Sequence, residues 1–391
     1  MFIIYYNILS LLMKSFKLIA IIAFLSLILT ITSLSLNNIS ATTELTHIIS
    51  TRGHFDQFGN PLPDQHTYEP FPFDFQTFGC PQEVVIYIHG VWTAKDRFDE
   101  KAKGMFENAP EIFERAKLSL ENNGYTLPVI GFSWDSDTPI SSEGWDHAQI
   151  IAKENGPKLA KFISDLKDNC TQTKIRLIAH SLGARVVLSS LDTLNKDQTW
   201  NSNNYKITSV HLMGAAVDDG EVSKNAVDVT NSDGIKGPYG KAIEEKVMKF
   251  YNLVNSEDDA LEPGLIYPSF FGGLLFDCFN YAEDQPVYYP CFEQDFALGQ
   301  TGKDSSIDDR DVPKNYLDED IKQKIRNIID ADTDGKCDLM YQRVWFPFNF
   351  VCTISQTGDN HLGYVGFRGS PDSLIDNGAM NIIANIFLNS P

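Results

Sequence analysis

The run KIRLIAHSLGARVVLSSL, residues 174–191, decides how this chain is read. An apolar strand-like segment ends in Ala-His-Ser-Leu-Gly, and a helix-like pattern begins at once. Such a turn lifts the serine hydroxyl clear of the strand. It also aims the next backbone N–H, that of Leu182, past a helix N-terminus. Acyl transfer by serine needs that exposure, an adjacent base and donors for the oxyanion. The familiar pattern is Gly-x-Ser-x-Gly, and here Ala179 stands at the first glycine. Ala179 and Gly183 are both small, so the tight turn around Ser181 survives. A serine ending an ordinary strand remains the plainer reading of the motif in isolation.

The chain has 391 residues, 43% of them hydrophobic, enough for a large core in one α/β domain or two smaller ones. Its net charge is −20. Phosphate-backbone binding needs clustered Lys and Arg, and no such cluster appears, so nucleic acid is not expected as a partner. An acidic surface also gives no charge attraction to anionic lipid.

Residues 13–41, MKSFKLIAIIAFLSLILTITSLSLNNISA, carry Lys14 and Lys17, then a long apolar run, then small and polar residues ending at Ala41. That is the layout of a signal peptide, with Met13 a candidate start. The apolar run 18–36 is near the lower limit for spanning a bilayer. A cleaved signal is therefore favoured and a membrane anchor is the alternative. The product is secreted, or anchored facing outside.

Export permits disulfides. The six cysteines are Cys80, Cys170, Cys278, Cys291, Cys337 and Cys352. Spacing makes local pairs of Cys278 with Cys291 and of Cys337 with Cys352, which leaves Cys80 with Cys170. Buried free thiols are the rival reading. No Cys-x-x-Cys occurs, which argues against a zinc or thioredoxin-like site.

From Gln82 onward, short apolar strands alternate with amphipathic helices. EVVIYIHG, LPVIGFSW, KIRLIAH, KITSVHLMG and KVMKFYNLV read as strands. The segments between the first four read as helical. This pattern predicts a mostly parallel sheet covered by helices on both faces. Pro110 reads as a break in the first helix. A short strand precedes this region, in THIISTRGHFDQFGNPLPD. Residues 42–391 form one domain in this reading. Within it, 262–320 is an aromatic-rich and then acidic insertion with the composition of a lid or cap, and a final helix lies near 373–388. The aromatic segment, with Tyr267, Phe270 and Phe271 among its residues, would line a pocket for an apolar acyl chain. Its plainer reading is a Cys-stapled excursion with a small core of its own.

Three further stretches bear on the chemistry. VVIYIHGVW ends a strand in His89-Gly90. NSEDDAL follows a late strand with Glu257, Asp258 and Asp259. GDNHLGY places His361 ahead of a final helix, and no other histidine lies beyond His211. Together with GFSWDS, IAHSLGARVV and HLMGAAVD, these resemble the α/β-hydrolase superfamily, in its order. The likeness is to its esterase/lipase-like branch, over about residues 82–261 and again around His361. The resemblance implies a Ser-Asp-His triad of Ser181, Asp258 and His361, with Asp259 as the alternative acid and Asp218 or Asp219 as remoter ones. It implies an oxyanion hole from the N–H of Leu182 and of Val91 or Trp92. The chain departs from the pattern at Ala179 and at Asp135, where relatives often have Pro.

The resemblance also makes the strands after Cys80 and Cys170 sheet neighbours, which supports their pairing. The implied activity is hydrolysis of a small-molecule or lipid carboxylic ester, with no cofactor for catalysis. A serine peptidase or thioesterase is the near alternative, and a non-catalytic binding protein on the same fold the distant one.

IDADTDGKCD, with Asp330, Asp332, Asp334, Gly335 and Asp338, alternates carboxylates around a glycine bend as calcium loops do. It resembles the loops of EF-hand, dockerin and thrombospondin type-3 repeats. Tyr341 stands where an EF-hand has its bidentate Glu. Structural Ca²⁺ is the expectation here, and a plain acidic loop is the alternative.

Overall fold

The structure is a computed structural model. It describes residues 47–56, 58–63, 67–96, 107–139, 141–229, 235–256, 258, 261, 297–321, 361, 364 and 379–390. The N-terminal segment, Cys278, Cys291, Cys337, Cys352, the aromatic stretch 262–296 and the Asp330–Asp338 loop all lie outside the described residues. Among the described residues, no helix is long and apolar enough to cross a membrane.

In chain order the strands are β1 (His47–Ser50), β2 (Glu83–Ile88), β3 (Thr93–Ala94), β4 (Glu107–Asn108), β5 (Val129–Ser133), β6 (Lys174–His180), β7 (Ile207–Met213), β8 (Val247–Val254) and β9 (Tyr316–Asp320). The helices are α1 (Phe75–Phe78), α2 (Ala109–Asn122), α3 (Ser142–Asn169), α4 (Gly183–Lys196), α5 (Gln198–Ser202), α6 (Gly240–Lys246), α7 (Leu298–Thr301) and α8 (Met380–Asn389). Seven strands form one sheet in the order β1-β5-β2-β6-β7-β8-β9, and every neighbouring pair is parallel.

The central strands are apolar on both faces because both faces are covered. Val84, Ile86 and Ile88 of β2 share one core with Ile151, Leu159 and Phe162 of α3 and Val186, Val187 and Leu191 of α4. Val85 and Tyr87 of the same strand share the opposite core with Ile112 and Phe113 of α2 and Met380 and Ile383 of α8. The helices start where their caps allow. The Asn108 side chain accepts from the Glu111 N–H, and Pro110 lies in the first turn of α2, where a missing N–H is harmless. Pro110 therefore opens a helix rather than breaking one.

The five strands read from sequence all form. The short strand read ahead of them also forms, as β1, parallel beside β5, and the sheet has one member not read from sequence, β9. The latter falls at the end of the stretch read as an insertion reaching residue 320. Its sequence, YLDED, has only Tyr316 buried. An edge strand with one covered residue carries no apolar run, so pattern reading passes over it.

The winding order of the sheet reverses at β2, which has β5 on one side and β6 on the other. Open parallel sheets bind ligands at such a switch point, outside the carboxyl ends of the strands. At the opposite ends of β2 and β6, Cys80 and Cys170 are joined with Cα atoms 5.1 Å apart across a separation of 90 residues. Closing a loop of that length stabilises by up to about 4–5 kcal/mol in the chain-entropy model. The Cys80→Ser/Cys170→Ser variant is expected to lose stability of this order in denaturant melts. Non-reducing peptide mapping should recover the 80–170 link.

His211 of β7 is fully buried, with Nε2 against Ser209 Oγ at 2.9 Å and its ring stacked on Tyr251. Burial, reinforced by the Arg176 charge, holds its pKa well below 6.5. An imidazole depressed in this way adds stability above its unfolded pKa and loses it as pH falls below that value. Between pH 7.5 and 5 the proton taken up only by the unfolded chain costs about 2 kcal/mol. The drop in unfolding free energy over this range is expected to be smaller by that amount in His211→Gln than in wild type.

Candidate active site

Ser181 directly follows β6 and adopts a left-handed backbone, φ +54°. A non-glycine residue there is strained and persists only where its surroundings over-determine it. They do so here. The Ser181 N–H donates to the Met213 carbonyl at 2.9 Å, and its own carbonyl accepts from Ala216 N–H at 3.2 Å and Ala184 N–H at 3.1 Å. The elbow is thus tied to the end of β7. Gly183 explains the second small position. A Cβ there would lie 2.6 Å from the His89 carbonyl oxygen and 2.8 Å from that of Ile88. Ala179 is buried inside β6, paired with Ile88 and Leu212, and its methyl is accommodated.

Gly90 is the matching close approach from β2, since a Cβ there would lie 2.9 Å from Ser181 Cβ. The loop after it is held from several sides. His89 is fully buried and stacks on Trp134 at 5.6 Å. Trp134 N–H donates to His89 Nε2 at 3.2 Å, so Nδ1 carries the proton and donates to the Gly90 carbonyl at 2.8 Å. Burial, with Arg52 adding to it, keeps the His89 pKa well below 6.5 and the ring neutral. Trp134 Nε1 also donates to the His89 carbonyl at 2.8 Å, and Thr93 Oγ1 to that of Gly90 at 3.1 Å.

Trp92 is left-handed too, φ +53°, and its N–H donates to the Ser136 carbonyl at 2.7 Å. Of the two donors offered after Gly90, Trp92 is therefore committed elsewhere. Among the described residues, no acceptor takes the N–H of Val91 or of Leu182. Leu182 sits at the N-cap of α4, which has no side-chain cap. A helix start with open N–H groups favours negative charge.

Asp258 lies in the turn after β8 and is fully buried. It accepts from His361 Nδ1–H at 2.8 Å on Oδ2 and 3.0 Å on Oδ1. Tyr364 Oη–H donates to Oδ2 at 2.9 Å. The His361 side chain is 13% exposed and Ser181 is 5% exposed. His180 lies between these groups, its Nε2–H donating to the His361 carbonyl at 2.7 Å. Asp258 and His361 are thus brought together beside the elbow. Asp259 lies outside the described residues. Asp218 and Asp219 instead lie in the turn after β7, where Asp218 pairs with Lys236 at 3.1 Å.

The sequence reading passed over Tyr364 and His180. Each lies inside a quoted motif, one three residues beyond His361 and the other just before Ser181. Asp135, the departure from Pro, accepts from the N–H groups of Gly53, His54 and Phe55 at 2.7, 2.9 and 3.0 Å. It fixes the loop after β1 and is not part of the Asp258–His361 pair. Among the described residues, no group of three or more His, Cys, Asp or Glu is arranged to hold a metal.

Residues 81–264 match the family described as alpha/beta hydrolase of unknown function (DUF900). The chain has the α/β-hydrolase fold. The matched span runs from the start of β2 past Asp258 and stops short of His361. An uncharacterized protein of Nostoc sp. (strain PCC 7120), alr1448, is 22% identical over 201 residues, 46% of this chain and 51% of that protein. The chain spans about half the length of that curated relative. Among solved structures, the catalytic core domain of Trichoderma reesei acetyl xylan esterase aligns over 44% of this chain and 84% of that one, at 11% identity and TM-score 0.26. Trichoderma reesei cutinase with a phosphonate inhibitor aligns over 43% and 78%, at 15% identity and TM-score 0.23. Likenesses this slight leave the fold resting on the sheet itself and on the family match.

The elbow makes a stability test available. Gly183→Ala forces a methyl against two carbonyl oxygens of the β2 end. Overpacking of this kind costs about 1–3 kcal/mol, and the protein is expected to lose that much in a denaturant melt.

Proposed function

We propose that this protein is a serine hydrolase that cleaves carboxylic esters through an acyl-enzyme. The observation carrying this reading is the buried Asp258 carboxylate hydrogen-bonded to His361 Nδ1 at 2.8 Å, beside a serine held in a left-handed turn. Ser181 Oγ attacks the ester carbonyl as His361 Nε2 takes its proton. Asp258 keeps the imidazole in the tautomer with Nδ1–H and stabilises the imidazolium that forms. Negative charge on the carbonyl oxygen is met by the N–H groups of Val91 and Leu182. His361 returns the proton to the departing alcohol. Water then attacks the acyl carbon as His361 takes its proton, and His361 passes that proton to Ser181 Oγ as the acid leaves. No cofactor is called for in these steps. A disulfide between Cys80 and Cys170 suits an exported chain, since such bonds persist in oxidising compartments.

An active-site-directed fluorophosphonate is expected to label the wild type and not Ser181→Ala. A folded wild type that stays unlabelled overturns the reading. Asp258→Asn is expected to lower turnover by about 10³–10⁴-fold, because the wrong tautomer is then favoured. Asp259→Asn should stay near wild type. Ester panels of graded acyl length then define the substrate.

A further inference from the structure

We infer that His180 is a positioning residue, which sets the His361 segment against both the nucleophile turn and the Gly90 loop. This rests on the proposed hydrolase reading and adds a residue to it. His180 ends β6 in register with Met213 of β7, one position before Ser181. Its side chain is 5% exposed. The ring centroid lies 4.8 Å from that of His361 and 5.7 Å from that of Tyr364. On its other edge, a Cβ built on Gly90 would lie 3.3 Å from His180 Nδ1. One imidazole therefore touches the base segment on one side and the oxyanion loop on the other, and its backbone continues into Ser181.

The atom it holds matters. The His180 Nε2–H donates to the backbone carbonyl of His361, 181 residues further along the chain, at 2.7 Å. Neither ring nitrogen of His361 is consumed by this bond. Nδ1 stays with Asp258, so the bond holds the segment without competing for the ring. The donor must also remain neutral, because the reaction places positive charge on His361 and a second cation there would oppose it. Burial, and then the His361 charge, push the His180 pKa down to about 3, with Arg115 pushing the same way and Asp258 opposing. A lysine or arginine donor would bring a fixed charge to the same spot.

The test uses the full chain with His180→Gln, His180→Asn and His180→Leu. Glutamine carries an N–H donor at about the reach of imidazole Nε2, whereas asparagine is too short and leucine has none. Misplacement of a reacting group by about 1 Å costs on the order of 100-fold. His180→Leu and His180→Asn are therefore expected to lose about that factor in kcat and in fluorophosphonate labelling rate. KM should change little, and the acidic limb of the kcat/KM profile should not move. His180→Gln is expected to recover most of the rate. Where the leucine variant fails to fold, the glutamine–asparagine pair carries the comparison.

Wild-type rates in folded His180→Asn overturn the inference. So do equal losses in the glutamine and asparagine variants that track a falling Tm, since they mark a merely structural role. A labelled wild type with unaffected variants removes this inference alone. A wild type that never labels removes the hydrolase reading and this inference with it.

Discussion

Everything at the carboxyl edge of the sheet depends on one close packing. The turn after β6 and the loop after β2 approach until Gly183 meets the carbonyl oxygens of Ile88 and His89, and Gly90 meets Ser181 Cβ. No side chain fits in either place. That contact brings Val91 and Leu182, whose N–H groups have no acceptor among the described residues, to the ends of two adjacent strands. It also makes the left-handed Ser181 tolerable, because the turn is hydrogen-bonded to Met213 and Ala216 on its far side. Strain of one residue is offset by packing and hydrogen bonds supplied by several others.

Around this contact lie several buried polar groups that hold one another. Trp134 donates two hydrogen bonds to His89 and stacks on it. Arg52 reaches the same loop through Thr93 O at 2.9 Å and Ser133 Oγ at 3.0 Å. Behind the elbow, Arg185 of the first α4 turn forms a two-pronged pair with Glu221 at 2.7 and 3.0 Å. Both are buried. Breaking such a pair strands a charge, so the link between α4 and the turn after β7 is hard to loosen. These networks are costly unless complete, and they specify one arrangement of the loops.

The central strands were legible because burial on both faces writes them as continuous apolar runs. KIRLIAH and KITSVHLMG have no competing period. Asp258 was legible as one of two neighbours after a late strand, and His361 as the sole histidine in its place in the chain. Other features were written in interactions between distant segments. YLDED shows an acidic pattern because only Tyr316 of that strand is covered. His180 and Tyr364 look like a strand end and a loop aromatic until the fold carries the 361 segment to the elbow. The commitment of the Trp92 N–H to Ser136 O is a loop–loop hydrogen bond with no local signature at all.

The disulfide can be seen as a ruler as well as a staple. Cys80 and Cys170 lie at the amino ends of β2 and β6, where Lys174 N–H also donates to Gln82 O and Thr173 Oγ1 to Pro81 O. The opposite ends of the same two strands carry Gly90 and Ser181. Parallel strands can err by shear, and one residue of slip is about 3.3 Å, more than the whole length of a hydrogen bond. A covalent tie at one end fixes the offset at the other. The separation between two backbone N–H groups is thus gauged from a bond at the far edge of the sheet, out of reach of anything that enters the site.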